Sequence, residues 1–326
     1  MPKTDTQSSP LSGELVTVFG GGGFIGNYVA QALLARGARV RIASRNPEKG
    51  WPLKPLANLG QLQFAHCDIT REDSLTASLH EAAYVVNLVG DFAGDLTNLM
   101  GEAPGQMASI AAANGAKAFV HVSAIGPDAN SSAEYARAKA LGEERVLAAF
   151  PNATVLRPSI VFGEDDGFIN MFAGMIEMIP ALPVFGPDAK LQLVYVDDVA
   201  EAIAVSLEAP ESHGGKTFEL GGPEQLSMME INERIAGAQG RKRRFIAMPD
   251  GMSSLFASLP GTPMSRDQWT LLKPGSTVSE GALTFADLGI TRRPLGQFLE
   301  KWMLRYRRFG RFGLSNERAK ERKNGS

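Results

Sequence analysis

The stretch VFGGGGFIGNYV, residues 18–29, places four consecutive glycines between a β-type run and a helix-type run. Glycine loses more backbone entropy on folding than any other residue, so we expect such a cluster only where no side chain fits. Gly20, Gly23 and Gly26 are spaced three residues apart, after a predicted strand and at the start of a predicted helix. This context is typical of a loop whose backbone approaches the pyrophosphate of a dinucleotide at a helix N-terminus.

Two other interpretations of this loop are less favoured. A glycine-rich turn without a ligand would not need the strand and the helix that flank it. A nucleoside triphosphate loop would be followed by Gly-Lys-Ser/Thr, and no such tripeptide follows this loop. The residues that we therefore expect to contact a dinucleotide in this loop are Gly20, Gly22, Gly23, Phe24, Ile25 and Gly26.

The end of the second predicted strand indicates which dinucleotide is bound. An NAD site usually carries an acidic residue there, about twenty residues past the glycines, for the ribose 2′-hydroxyl. In ARVRIASRNPEK the strand ends instead in Ser44 and Arg45, and a guanidinium can pair with a 2′-phosphate. We therefore predict NADP(H), that is NADPH or NADP, with Arg45 as the discriminating residue. A solvated surface arginine is the alternative.

Asp68 follows the third predicted strand, in HCDIT. Its short side chain, with Ile69 beside it, could reach the adenine amino group of a dinucleotide. It could equally cap the helix that begins near Arg71. Both interpretations stay open at this point.

Short β-branched runs alternate with helical patterns from Glu14 to about Pro158. Strands separated by helices, each strand continuously apolar, predict a parallel sheet with helices on both faces. The fold class is therefore α/β, a doubly wound parallel sheet of Rossmann type. The predicted strands are ELVTVF, ARVRIAS, LQFAHCD, YVVNLVG, AFVHVSA and TVLRP, and the predicted helices are FIGNYVAQALLARG, REDSLTASLHEA, a Met/Ala-rich segment after Asp95, and SSAEYARAKALGEERVLAAF.

We expect four parts along the chain: a flexible N-terminus (1–13), the dinucleotide-binding Rossmann core (14–158), a smaller α/β portion packed on it (159–300) and a basic aromatic tail (301–326). In the third part, the segment from Met171 to Phe185 is predicted as a core helix over the cofactor cleft. It could instead line a substrate pocket or face a partner, as could MSSLFASLPG from Met252.

Composition excludes several classes of protein. A hydrophobic content of 44% and a charged content of 21% are ordinary for a globular chain of 326 residues. Cys67 is the only cysteine, which rules out an intrachain disulfide, and the four histidines lack the spacing of metal ligands. No stretch is long and apolar enough to span a bilayer, and MPKTDTQSSPLSG lacks the features of a signal or transit peptide. We expect a cytoplasmic bacterial protein without a metal.

The C-terminal end is basic and aromatic. From Lys301 onward the net charge is +7, whereas the whole chain carries −2. We expect this tail to meet anionic lipid headgroups or partner proteins; a solvated tail is the alternative. The acidic remainder of the chain argues against nucleic acid. The run GRKRRF at Gly240 is expected to cover a helix end or to precede a strand. The apolar residues that alternate with the basic ones are Trp302, Met303, Leu304, Tyr306, Phe309 and Phe312.

With Tyr135-x-x-x-Lys139 in EYARAKALGEE added to GGGGFIG, the chain resembles the short-chain dehydrogenase/reductase superfamily of the extended or atypical kind. Tyrosine and lysine four residues apart share one helix face. Ser123, in HVSAIG, matches the family's serine. The resemblance implies that Tyr135 donates or accepts a proton, that Lys139 lowers its pKa and holds the nicotinamide ribose, and that Ser123 orients a carbonyl. Further expected cofactor contacts are Leu88, Val89 and Pro158.

Other segments match one branch more closely: LRPSIVFGEDDGF, VYVDDVAEAI, TFELGGPEQLSMMEI and RYRRFGRFGL. From about Leu15 onward the chain resembles the nucleotide-binding accessory subunits of respiratory complex I, the NADH:ubiquinone oxidoreductase. The resemblance implies NADPH held without turnover and contacts with other subunits where the hydrophilic arm meets the membrane arm, on the cytoplasmic side of a bacterial inner membrane.

The retained Ser123, Tyr135 and Lys139 leave enzyme activity open. A free NADP-dependent reductase or epimerase is the first alternative, and an NADPH-sensing regulatory protein is the second. The sequence does not reveal a substrate.

Overall fold

The computed structural model describes residues 9–257, 265–308 and 310, without the side chain of Leu255. Several sequence-based expectations therefore fall outside the described residues. These are the first eight residues of the N-terminal part, the end of MSSLFASLPG, Phe309, and the tail from residue 311 onward, which includes Phe312.

Thirteen strands occur in the described residues. They are β1 Leu15–Phe19, β2 Arg39–Ser44, β3 Leu62–His66, β4 Tyr84–Asn87, β5 Ala118–Val122, β6 Thr154–Pro158, β7 Val161–Phe162, β8 Ala181–Phe185, β9 Lys190–Leu191, β10 Val194–Tyr195, β11 Thr217–Leu220, β12 Leu226–Ser227 and β13 Arg244–Met248.

Eleven α-helices occur in the same residues. They are α1 Phe24–Ala35, α2 Glu72–Leu79, α3 Ala103–Ala113, α4 Glu134–Ala149, α5 Gly167–Met178, α6 Val196–Glu208, α7 Pro210–His213, α8 Met228–Ala238, α9 Asp250–Ala257, α10 Arg266–Leu272 and α11 Gly296–Trp302. Two 3₁₀ segments, Pro47–Leu56 and Met303–Tyr306, and a π-helical segment, Thr97–Glu102, which leads into α3, complete the list.

Seven of the strands form one sheet in the order β11-β6-β5-β4-β1-β2-β3, and every pair in it is parallel. The predicted doubly wound parallel sheet is confirmed. The order reverses between β1 and β4, which is the switch point at which such sheets bind ligands beyond the carboxyl ends of their strands. β11 is the seventh strand, and it pairs with β6 from far along the chain.

Side chains alternate between the two faces of the sheet, as the pleat requires. Phe19, Val85 and Phe119 belong to a buried cluster that also contains residues of α2, α3 and α4. The next helix pair, α1 and α6, packs together and contacts the strands β1, β2, β5 and β6. Both faces are therefore covered by helices, which explains why β1, β4 and β5 are buried along their whole length.

The chain folds into two compact units. The first comprises the residues up to Ser159, with Val196–Gly221 and Val278–Arg292. The second comprises Ile160–Tyr195, Gly222–Thr277 and the described residues from Arg293. The chain leaves the first unit after Ser159 and returns to it at Val196 and at Val278, and the sequence analysis did not anticipate these two returns.

Two segments depart from what the sequence predicted. The single helix expected from Met171 to Phe185 is wrong: α5 ends at Met178, and 181–185 form β8, because Pro180 cannot continue a helix. Near the N-terminus, Leu11 is fully buried, and Gly13 N–H donates to the carbonyl of Gly37 at 2.9 Å. The chain is therefore packed from a point inside the part expected to be flexible.

The basic run GRKRRF does both things predicted for it. Arg243 donates to the carbonyls of Ile176 and Glu177, at 2.6 and 3.0 Å, in the last turn of α5. The next residue, Arg244, begins β13. A guanidinium at a helix C-terminus satisfies carbonyls that have no partner within the helix.

The described start of the basic tail is packed within the second unit. Trp302 and Met303 are buried, and Trp302 stacks on Phe298 at 5.1 Å between ring centroids. Arg307 donates to the carbonyl of Ala238 at 2.8 Å. The expectation that Trp302 and Met303 face lipid or a partner is therefore wrong, because the core of the unit takes up both side chains.

No helix among the residues that the structure describes is long and apolar enough to cross a bilayer.

Candidate functional site

The glycine-rich loop lies between three strand ends. Gly20 N–H donates to the carbonyl of Ala43 on β2 at 3.1 Å, and Leu88 N–H, after β4, donates to the carbonyl of Phe19 at 3.0 Å. Gly20 has φ +77°, a backbone conformation that disfavours any side chain. The loop therefore turns at the carboxyl edge of the sheet, beside the switch point between β1 and β4.

The loop leads directly into α1. Gly23 is the N-cap residue, and no side chain caps this helix end. A Cβ on Gly26, in the first turn, would come within 2.6 Å of the Gly20 carbonyl oxygen and of two Gly21 backbone atoms. Glycine at position 26 thus lets the helix pass against the loop. The uncapped N–H groups and the positive end of the helix dipole are available to an anion.

Two buried polar atoms near this loop lack hydrogen-bond partners among the described residues. They are Ser44 Oγ, at the end of β2, and Asn27 Oδ1, in the first turn of α1. Buried polar atoms are nearly always hydrogen-bonded, so each of these calls for an explanation. A ligand rich in hydroxyl and phosphate groups would supply the missing partners, so the residues present fit a dinucleotide.

Arg45 follows Ser44 and is exposed to solvent. The Asp68 carboxylate accepts hydrogen bonds from the Thr70 hydroxyl and backbone N–H, at 2.8 and 3.1 Å. These bonds, with the charges of Arg45 and Arg71, hold the pKa of Asp68 below its usual value. Arg45 therefore lies within electrostatic range of the carboxylate that follows β3.

Asp68 does not cap α2. The N-cap of that helix is Arg71, and the Asp68 side chain closes a turn with Thr70 instead. The capping interpretation of Asp68 is therefore wrong. Its neighbour Ile69 is buried in the core cluster that contains Phe19, so its side chain faces the core.

The segment after β4 runs beside the loop. The backbone of Leu88 would be 3.3 Å from a Cβ on Gly20. Val89 N–H donates to the Asn87 side-chain oxygen at 3.0 Å, and the Val89 carbonyl faces the Lys139 ammonium at 3.4 Å. The structure thus brings Leu88 and Val89 between the glycines and Lys139.

Ser123 directly follows β5, and Tyr135 and Lys139 lie in α4. The Lys139 ammonium donates to the carbonyl of Val122, at 3.1 Å, directly before Ser123. Tyr135 is one helical turn earlier, with its ring centroid 5.9 Å from Lys139 Nζ. Ser123 Oγ is buried and has no hydrogen-bond partner within the described residues. Lys139 therefore lies beside the ring of Tyr135 and beside the backbone that directly precedes Ser123.

Burial is the largest cause of the pKa shifts of Lys139 and Tyr135. It lowers the pKa of Lys139 to about 8, although the Glu143 carboxylate acts in the opposite direction. It raises the pKa of Tyr135 to about 12, so that the neutral phenol is the stable form. The resemblance implies a tyrosine whose pKa is lowered by lysine, whereas in this structure burial dominates.

Ser123 and Pro158 lie at the carboxyl edge of the sheet, where the neighbouring strands β5 and β6 end. Ser123 N–H donates to the Leu156 carbonyl at 2.7 Å, and Ile125 N–H donates to the Pro158 carbonyl at 3.0 Å. The loop after β5 is thereby fixed to β6. Ser44, Leu88, Ser123 and Pro158 thus follow or end neighbouring strands at the carboxyl edge of one sheet.

Two residues beneath this edge were missed in the sequence. The Asn87 amide nitrogen lies 3.0 Å from His121 Nδ1. Because the Asn87 oxygen accepts from Val89 N–H, its amide donates to Nδ1, which leaves the proton on Nε2. Burial and the Lys139 charge lower the pKa of His121 to about 3. The available signal was a single polar residue within each apolar run, YVVN and AFVHV.

The sequence pattern of the NAD dependent epimerase/dehydratase family matches residues 16–221. The chain belongs to the NAD dependent epimerase/dehydratase family. The chain is 32% identical to NADH dehydrogenase [ubiquinone] 1 alpha subcomplex subunit 9, mitochondrial, of Arabidopsis thaliana, over 93% of this chain and 80% of that protein. It is 28% identical to the mitochondrial NADH-ubiquinone oxidoreductase 40 kDa subunit of Neurospora crassa, over 97% of this chain and 85% of the relative.

The fold is also that of solved epimerases. UDP-glucuronic acid 4-epimerase from Bacillus cereus, in complex with UDP-glucuronic acid and NAD, superposes with a TM-score of 0.60 at 23% identity, over 84% of this chain and 96% of that one. The resemblances to the extended short-chain dehydrogenase/reductases and to the complex I accessory subunits are both confirmed.

Proposed function

We propose that this chain is an accessory subunit of NADH:ubiquinone oxidoreductase, respiratory complex I, and holds NADP(H) without turning it over. The observation that carries the proposal is the extent of the similarity to the mitochondrial subunits, which covers 93% and 97% of this chain in the two relatives. The family pattern alone ends at residue 221. The similarity to the subunits thus also includes the second unit, where a shared dinucleotide site could not account for it.

Dinucleotide binding is supported by the geometry of the loop 20–26. Gly20 and Gly26 allow a close backbone crossing, and the N-terminus of α1 has no side-chain cap. A diphosphate placed there would accept hydrogen bonds from backbone N–H groups near the positive end of the helix. The epimerase from Bacillus cereus, which has the same fold, holds NAD.

The preference for NADP(H) is supported by the end of β2. Ser44 Oγ lacks a partner among the described residues, and the exposed guanidinium of Arg45 follows directly. No carboxylate occupies the position that would bind the 2′-hydroxyl of NAD. Arg45 would pair with the 2′-phosphate, and Ser44 would donate a hydrogen bond to it.

At the other end of the cleft, Lys139 would hold the nicotinamide ribose. Its ammonium has three N–H bonds, and two of them face the carbonyls of Val89 and Val122. The third is left for a ribose hydroxyl. Ser123 Oγ, buried without a partner among the described residues, would bond to the carboxamide or to a substrate carbonyl. When bound, the nicotinamide supplies or accepts a hydride.

The proposed absence of turnover is supported by the state of Tyr135. Burial raises its pKa to about 12, which makes the phenol a weaker proton donor and leaves little of the phenolate that could accept a proton near neutral pH. A ligand that binds only the folded chain still stabilises it, by about 4 kcal/mol at a thousandfold excess over Kd. NADP(H) would then act as a structural ligand of the subunit.

As a peripheral subunit, the chain would contact other subunits of the complex where the hydrophilic arm meets the membrane arm. We propose the cytoplasmic side of a bacterial inner membrane as its location, and the net positive charge of the sequence from Lys301 onward favours binding to anionic headgroups there. The test is co-purification. Membranes dissolved in mild detergent should yield the quinone-reducing complex with this chain bound. A complete, active complex without it, beside free chain, would refute the assignment.

A free NADP-dependent reductase is the second candidate, because Ser123, Tyr135 and Lys139 are all present and adjacent. Its test is oxidation of NADPH by the purified chain with aldehydes, ketones and nucleotide sugars. Turnover by wild type that disappears in Tyr135→Phe would favour this candidate over the first.

A further inference from the structure

Phe92 covers the ring of Tyr135. The two ring centroids are 4.5 Å apart and the ring planes differ by 14°, which makes a parallel stack. Tyr135 also packs against a buried cluster formed by Leu96, Met100 and Ala138. The ring is thus packed against this cluster and against Phe92, and the resulting burial is the cause of its raised pKa.

The segment that carries Phe92 is held on both sides. The Asp91 carboxylate accepts from the N–H groups of Phe92 and Ala93, at 2.8 and 3.2 Å. Further on, the Asp95 carboxylate accepts from Asn98 N–H at 3.0 Å, at the start of the π-helical segment. The stack therefore results from a fixed turn between β4 and the next helix.

Phe92 itself remains 55% exposed. A side chain that stays this exposed gains little from the hydrophobic effect, so its removal should not unfold the protein. The ring on which it stacks belongs to Tyr135, which is half-buried and is one of the three residues of the candidate catalytic set. Phe92 therefore covers one face of the Tyr135 ring without being needed for the core.

We propose that Phe92 is a cover that keeps carbonyl compounds from the Tyr135 hydroxyl, and that this cover is the reason why bound NADPH is not consumed. The inference rests on the proposed function. In the suppressed reaction, the carbonyl carbon of an aldehyde or ketone would accept a hydride from NADPH, and its oxygen would accept the proton of Tyr135. The products would be an alcohol and NADP⁺, and solvent would return the proton to the tyrosine.

The first test measures the accessibility of Tyr135 without any substrate. The full chain and its Phe92→Ala variant are treated with tetranitromethane, and nitrated tyrosines are located by peptide mass spectrometry. Because the variant lacks the stacked ring, we expect the rate of nitration of Tyr135 to be about tenfold higher than in wild type. Tyr84, which is buried at the start of β4, is the internal control and should be unchanged. Phe92→Trp, which restores an aromatic cover, should react like wild type.

The second test measures turnover. NADPH oxidation is followed with a panel of aldehydes and ketones in wild type, Phe92→Ala and the double variant Phe92→Ala/Tyr135→Phe. We expect oxidation by Phe92→Ala alone, because only this variant has an uncovered phenol. Equal nitration of Tyr135 in wild type and Phe92→Ala would overturn the inference. Faster nitration without any gain of turnover, or turnover that survives in the double variant, would overturn it as well.

Calorimetric titration of the same proteins with NADPH tests cofactor binding separately from the role of Phe92. If wild type and Phe92→Ala bind NADPH with the same affinity, the proposed function is supported even where the nitration and turnover tests overturn the role of Phe92. No binding to wild type would remove the proposed cofactor and, with it, the inference about the cover.

Discussion

The carbonyl oxygen of Gly20 lies 2.6 Å from the position that a Cβ on Gly26 would occupy. Two backbone atoms of Gly21 are equally close to that position, so neither the loop nor α1 could yield to a side chain without a backbone shift. The glycine-rich loop and the first turn of α1 are therefore in direct backbone contact beside the end of β1.

Gly26→Ala should therefore destabilise the fold by about 1 to 3 kcal/mol, the usual cost of overpacking, and weaken dinucleotide binding. Gly174→Ala is the matched control, since Gly174 also lies within a helix but nothing is within 4 Å of its Cβ position. That control should raise stability by up to about 1 kcal/mol. Urea unfolding measures both values. Equal effects of the two substitutions would contradict the close crossing.

Arg45→Ala should weaken NADPH binding about tenfold or more, because a charge-assisted hydrogen bond contributes about 1.5 to 3 kcal/mol. The affinity for NADH, which has no 2′-phosphate, should stay the same. Arg39→Ala, at the exposed other end of the same strand, is the control and should change neither affinity. Calorimetric titration provides the comparison. An unchanged ratio of the two affinities in Arg45→Ala would show that Arg45 is a solvated surface residue.

His121 should make the chain sensitive to acid. Its pKa is about 3 in the folded protein, below its ordinary value of 6.5, so between these limits the unfolded chain binds more protons. The contribution to stability is complete above pH 6.5 and is lost as the pH falls toward 3. In His121→Gln, the fall in unfolding free energy between pH 6 and pH 4 should be smaller by about 1.4 kcal/mol per pH unit.

Urea unfolding at several pH values measures the two slopes, and carboxylates that titrate in the same range cancel in the comparison. Parallel curves for wild type and His121→Gln would mean that His121 is not kept neutral by the fold.

Glu143→Gln should destabilise the first unit. The Glu143 carboxylate accepts three hydrogen bonds from Arg157, at 2.6, 3.0 and 3.2 Å, and its side chain is 9% exposed. Among the described residues, loss of this charge leaves Glu219, at 3.6 Å, as the acidic partner of the Arg157 guanidinium. We expect a loss of about 2 to 3 kcal/mol, below the full value for a buried pair because Arg157 is partly exposed.

Glu102→Gln is the control for that substitution, since Glu102 pairs with Arg145 on the surface, with both side chains about half exposed. It should cost no more than about 0.5 kcal/mol. Thermal or urea unfolding distinguishes the two. Similar losses in both variants would mean that the Arg157 pair contributes no more than a surface ion pair.

The sequence predicted the first six strands and the helices between them because each has a clear local pattern. The buried strands are continuous β-branched runs, and α1 and α4 carry long helical periodicities. The pairing of Thr217–Leu220 with β6 could not be predicted, because contacts between residues about sixty positions apart leave no local mark. Pro180 could have indicated that the helix beginning near Met171 ends before Phe185.

The residues of the candidate site could be predicted where they follow a recognisable spacing along the sequence. The glycines, Arg45 and the Tyr135–Lys139 pair all follow recognisable patterns. The stack of Phe92 on Tyr135 was not predictable, since it depends on how a loop between two elements turns. The raised pKa of Tyr135 could not be predicted for the same reason, because the packing around its ring is visible only in three dimensions. Asn87 and His121 were overlooked because each is a lone polar residue in an apolar strand.

Native mass spectrometry of the purified chain tests dinucleotide binding at the glycine-rich loop most directly. With NADPH and NADH added at equal concentrations, we predict a single bound dinucleotide per chain, with the mass of NADPH. A chain that carries neither nucleotide, in the presence of both, would contradict it.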